Sequence, residues 1–156
     1  MDTSATFNKI IKSLQRLFGF HSGFSNYDYL HAFGKASNAL LYSVLFLPEL
    51  VEIGSSVFLK INIENERSFH DLLDKLKQQK TISEIEVSYN FIEIGYLFDC
   101  NGRDLLDDED VLLANRIRDS CEGWLKIQYP QRKFIVEVVQ PETAVDAIRV
   151  QFYENR

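Results

Sequence analysis

Between Glu84 and Asp110 stand nine carboxylates, Glu84, Glu86, Glu93, Asp99, Asp104, Asp107, Asp108, Glu109 and Asp110, against a single base, Arg103. That is a net of −8 in a chain whose whole formal charge is −6, so the other residues together are slightly basic at +2. Three kinds of chemistry could use such a run. Acids at the head of a helix stabilise its N-terminus and stay solvated. A calcium loop needs alternating acids, a glycine at its sixth position and a bidentate Glu at its twelfth. In "DCNGRDLLDDED" Asp99 and Asn101 fit the first two ligands, but Asp104 replaces the glycine and Asp110 the Glu. The third use is an acidic docking face for a basic protein, where localised charge steers encounter and raises on-rates by about 10- to 10³-fold. The docking reading assigns Glu84, Glu86, Glu93, Asp104, Asp107, Asp108, Glu109 and Asp110 to partner binding and none of them to a metal. Glycosidase chemistry would require a cleft that raises the pKa of one carboxyl, and solvated acids at a helix head do not supply one.

The remaining chemistry-bearing residues are sparse. Gly34-Lys35 suggests a phosphate-binding loop, but that motif needs an earlier glycine where this chain has Tyr29 and a Ser or Thr where it has Ala36. His21, His31 and His70 include no i, i+4 pair, and no HExxH occurs. Cys121 falls on an apolar helical stripe and reads as core, whereas Cys100 sits beside the Asn101-Gly102 turn and could be an exposed thiol. A thiol hydrolase built on Cys100 is therefore one alternative, and an adaptor subunit of a larger assembly is another.

Composition narrows the class. The chain has 156 residues, 46% hydrophobic and 26% charged, with 12 Phe and 7 Tyr but only 3 Pro and 7 Gly. That mix disfavours disorder and suits a single domain over residues 1–156, which at this length buries roughly 70% of its unfolded surface without disulfide or metal. An acidic chain repels phosphate backbones, so nucleic acid is not the expected partner. "MDTSATFNKI" lacks the apolar core of a secretion signal, and two isolated cysteines make no disulfide framework, so a cytoplasmic location is expected. The run Ala39 to Leu47 is too short for the roughly 20 residues of a membrane span. It reads as a buried helix ended by Pro48, and no membrane partner is expected.

The elements follow from periodicity. Phe7, Ile10, Ile11, Leu14, Leu17 and Phe18 mark an amphipathic helix over residues 4–18. A second helix is expected from Ser25 or Asn26 to about Phe46, with Gly34 accommodating a close neighbour. Val51 and Ile53, then Val57 and Leu59, predict a hairpin or kinked strand around Gly54-Ser55. Asn65 heads a third helix with Phe69, Leu72, Leu73 and Leu76. Residues 84–94 alternate as a strand, although Ile82, Ile85 and Tyr89 also fit a short helix. A fourth helix runs from about Asp108 to Gln128, and two strands joined by "PETAVD" close the chain as an antiparallel hairpin. The class is α+β: an antiparallel or mixed sheet with about four helices packed on it.

"FGKASNALLYSVLFLPELVEIGSSVFL", with Phe33, Asn38, Tyr42, Pro48, Glu49 and Glu52, resembles a pattern of bacterial immunity proteins from contact-dependent inhibition and polymorphic-toxin systems. The resemblance is confined to that stretch and rests on packing residues. It implies a non-catalytic, cofactor-free inhibitor whose acidic face occupies the cleft of a cognate toxin domain, such as a basic nuclease.

Overall fold

The computed structural model describes residues 3–78, 81–98, 104–143 and 146–156. The chain divides into two compact units, Met1–Tyr42 and Ser43–Arg156.

In the first unit, α1 (Thr3–Phe18) packs on α2 (Asn26–Phe33). Ser25 caps α2: its Oγ accepts from the Asp28 amide, and the Asp28 carboxylate accepts from the Ser25 amide at 2.7 Å. The Ser25 hydroxyl also donates to the Asp28 carboxylate at 2.7 Å, and this bond, with that from the Ser25 amide, holds the Asp28 carboxyl below its ordinary range. Phe18 stacks on Phe33 at 4.7 Å between centroids, and Tyr29 donates its hydroxyl to the Gly19 carbonyl at 3.1 Å.

The single helix expected to reach Phe46 is in fact two. It breaks at Gly34, where the chain turns extended (φ −72°, ψ 144°) while the Gly34 amide still bonds the Leu30 carbonyl. A Cβ at Gly34 would stand 2.4 Å from that carbonyl oxygen. The glycine therefore serves the break itself, not the approach of a neighbour. After it comes α3 (Ala36–Phe46). The expectation that this apolar run is buried also fails. Leu40 is 75% exposed, Leu41, Val44 and Leu47 lie open too, and only Leu45 is buried at 8%. Residues 36–48 carry no charge on any side. Apolarity alone therefore could not indicate which stripe would find a partner.

In the second unit, β1 (Leu50–Ile53) and β2 (Ser56–Leu59) form the hairpin, with Gly54 at φ +65° in the turn. A 3₁₀ turn (Lys60–Asn62) leads to α4 (Glu66–Lys77), capped by Asn65, whose Oδ1 accepts from the Ser68 amide at 2.8 Å. The strand expected over 84–94 is mostly helix. Ile82–Tyr89 is α5, only Phe91–Glu93 is strand (β3), and Ile94–Phe98 is α6. The helix wins because Ile85 and Tyr89, one turn apart, both reach a core with Phe58, Ile63 and Leu72. The Tyr89 hydroxyl also donates to Asp71 on α4. α7 (Asp107–Gln128), β4 (Phe134–Val139) and β5 (Arg149–Glu154) complete the unit.

The fold is thus α+β, with a two-stranded sheet β1-β2 and a three-stranded antiparallel sheet in the order β3-β5-β4. One face of the larger sheet, with Ile92, Val150 and Phe152, packs against Ala114, Ile117, Cys121 and Leu125 of α7. The end of α3 joins this core: Ser120 donates to the Phe46 carbonyl at 2.7 Å, and the Trp124 indole donates to the Pro48 carbonyl at 3.0 Å.

Asn90, fully buried between α5 and β3, links the two sheets. Its side-chain amide accepts from the Leu59 amide and donates to the Val57 carbonyl, both at 2.8 Å, while its own carbonyl accepts from the Phe152 amide at 3.0 Å. Asn90→Ala leaves two buried backbone groups on β2 without partners. It is expected to lower unfolding stability by about 2–4 kcal/mol, read as a drop in urea midpoint at unchanged m.

Candidate acidic cleft

Three segments of the second unit converge on an open cleft of about 1070 Å³. The β3–α6 junction contributes Glu93, Gly95 and Tyr96, the first turn of α7 contributes Asp107 and Asp110, and the β4–β5 link contributes Glu142 and Asp146, followed by Arg149 at the start of β5. The sheet register makes this convergence. Glu93 of β3 stands directly opposite Arg149 of β5, which stands opposite Val139 of β4, so all three share one face. The Ile94 amide continues the pairing to the Ile148 carbonyl at 2.9 Å. There the two backbones come close, and a Cβ on Gly95 would meet the Ala147 methyl at 3.4 Å.

Five carboxylates, Glu93, Asp107, Asp110, Glu142 and Asp146, line the cleft with one base, Arg149, whose Nε is buried without a hydrogen-bond partner. Asp146 is fixed by accepting from the Thr143 hydroxyl at 2.8 Å and the Thr143 amide at 2.9 Å, which hold its carboxyl below the ordinary range. That is the opposite of what a general acid requires.

The eight residues read as a docking face do not form one surface. Glu93, Asp107 and Asp110 enter the cleft, Asp110 as a buried residue. Glu109 is also buried, and it serves α7 by accepting from the Leu106 amide at 2.9 Å. Glu84, Asp104 and Asp108 are exposed and line no part of the cleft. Glu86 is 0% exposed and leaves the acidic face altogether. It accepts from the Arg156 guanidinium at 2.8 Å and from the Glu154 amide at 2.9 Å, at the end of β5 remote from the cleft. A buried carboxylate is tolerated only with such partners. Asp99 and Cys100, which carried the calcium-loop and thiol readings, lie outside the described residues.

Reading by position along the chain missed Glu142 and Asp146. The one signal for them was that the link "PETAVD" between the closing strands contains acids, and antiparallel pairing returns that link to the level of Glu93. Cys121 is buried on α7 with its thiol pushed up to about 12 by desolvation, which leaves it protonated and inert. No histidine lines the cleft. Among the described residues no group of three or more His, Cys, Asp or Glu is arranged to hold a metal ion, and no helix is long and apolar enough to cross a membrane. Comparison with family models, with curated proteins and with solved structures finds no match for this chain.

Glu154 beside the buried Glu86 sets an acid limit on stability. Arg132 holds it through bonds of 2.6 and 3.0 Å, and Arg156 stands 2.9 Å away. Chiefly through Arg132, the Glu154 carboxyl titrates below its ordinary 4.5. A carboxyl depressed by folding contributes stability above its unfolded pKa and loses it as the pH falls through the folded value. The urea midpoint should therefore fall as the pH drops below about 4.5. Glu154→Gln should lower stability at pH 7 by about 1–3 kcal/mol and flatten the acid-side fall.

Proposed function

We propose that this chain is a non-catalytic binding protein that captures a basic protein partner, and that the partner is the toxin domain of an immunity pair. The observation that carries the reading is the acidic cleft, where carboxylates from three separate segments of the chain meet around a single guanidinium. A cleft of one sign attracts a lysine- or arginine-rich surface and repels nucleic acid. Steering of this kind acts mainly on the association rate and on the rejection of wrong partners. Tyr96, largely exposed at the rim, offers the kind of aromatic anchor that concentrates binding energy in an interface.

A catalytic reading finds less support among the described residues. Cys121 is buried and protonated, and the cleft lacks a histidine that could serve as base. Toxin neutralisation rests on the resemblance around residues 33–59, while capture of a basic surface rests on the cleft charge, so the two parts of the proposal can fail separately.

Affinity capture with the product of the adjacent reading frame, followed by a salt titration, tests both. The triple variant Glu93→Gln, Asp107→Asn, Glu142→Gln should slow association by roughly tenfold or more at low salt and reduce the salt dependence. The exposed pair Glu84→Gln, Asp108→Asn outside the cleft should change neither. A complex indifferent to the triple variant would overturn the cleft as the docking site. The lack of any complex with that product would remove the toxin partner.

A further inference from the structure

Exposed large apolar side chains are not spread evenly over this protein. Of 19 among the described residues, 10 fall in the first unit, within residues 1–42. Tyr27 is 83% exposed, Phe20 72% and Leu30 65%, and the stacked pair Phe18–Phe33 is itself only partly covered. Monomeric soluble proteins rarely leave so much apolar surface open unless something occupies it.

Charge identifies the occupant. Residues 1–42 contain four bases, Lys9, Lys12, Arg16 and Lys35, against two acids, Asp2 and Asp28, a net of +2. The other residues must therefore carry −8 to give the chain's −6. Lys9, Lys12 and Lys35 are exposed, and the two lysines of α1 lie off its apolar stripe. A two-fold dimer built on this patch would set one basic unit against another. A surface that is both apolar and negatively charged would be attracted by the lysines and would accept the aromatic rings. An anionic lipid bilayer has both properties. Interfacial segments that combine lysines with Phe, Tyr and Leu settle at the headgroup level without crossing the membrane.

We infer that residues 1–42 dock peripherally on anionic membrane surfaces, with Phe20, Tyr27 and Leu30 entering the interface and Lys9 and Lys12 facing the headgroups. This goes beyond the partner-capture reading and does not depend on it. The bilayer attracts this unit and repels the acidic one.

Flotation of the full chain with phosphatidylcholine vesicles, with and without phosphatidylglycerol, tests the inference and needs no protein partner. The protein should float with the anionic vesicles only, and high salt should release it. Lys9→Gln with Lys12→Gln should weaken binding by roughly thirtyfold. Tyr27→Ser with Leu30→Ser should abolish flotation while leaving the far-ultraviolet circular dichroism and the urea midpoint unchanged, since both side chains are exposed. Absence of flotation, or equal flotation with neutral vesicles, would overturn the inference. So would a concentration-dependent dimer, seen by sedimentation, that Tyr27→Ser with Leu30→Ser dissolves, because the occupant would then be a second copy.

Discussion

The architecture of the second unit depends on how the free edge of β2 is satisfied. β2 pairs with β1 on one side only, and its other edge turns the Leu59 amide and the Val57 carbonyl into the core, where no water reaches them. Two groups spaced i and i+2 on a strand ask for one peptide-like partner. The Asn90 side chain is that partner, a primary amide with a donor and an acceptor at the right separation. Because the Asn90 carbonyl also takes the Phe152 amide, one residue joins the hairpin to the central strand of the larger sheet. Aspartate would lack the donor and leucine both groups. Asn62 reinforces the same corner by donating to the carbonyls of Tyr89 and Phe91 at 2.8 Å each.

This corner also explains why neighbouring acids have unlike fates. Glu86 and Glu93 are seven positions apart in sequence and identical in charge-bearing group. The chain passes through Asn90 between them and reverses onto β5, so Glu93 meets Arg149 at one end of that strand while Glu86 meets Glu154 and Arg156 at the other. Five strand steps, about 17 Å, separate those ends. That exceeds the Debye length of about 8 Å at physiological salt. The two carboxylates therefore belong to different electrostatic environments, and no count of acids along the chain could have separated them.

What the sequence disclosed was local. The Asn65 cap, the Gly54 turn, α7 and the closing hairpin each follow from a few adjacent residues and the period of their apolar positions. α5 was misread because Ile85 and Tyr89 satisfy two periods at once, alternating with Val87 as a strand would and joining Ile82 as a helix would. The contacts that decide between them, to Leu72 and Asp71, lie on another element. α3 was misread for a different reason. A helix without charge signals a wish for burial but not which side will obtain it, and Leu45 is its one buried residue. The cleft was half legible: the acids of α7 and Glu93 were visible as a run, whereas Glu142 and Asp146 join them only through strand pairing.

Helix capping is the competing account of the acidic run, and the structure limits how far it reaches. It explains Glu109 fully, through the Leu106 amide, and gives Asp107, Asp108 and Asp110 a favourable place in the first turn of α7, worth roughly 0.3–1 kcal/mol each. A local turn explains Asp146. Neither device extends to Glu93 on β3 or to Glu142 in the link, which bring negative charge towards carboxylates already there. Glu93 has a counter-charge in Arg149, its cross-strand neighbour, whereas Glu142 adds negative charge to a lining that holds that one base. The carboxylates that neither capping nor a local turn accounts for, Glu93 and Glu142, are the ones on which the proposed capture of a basic partner rests.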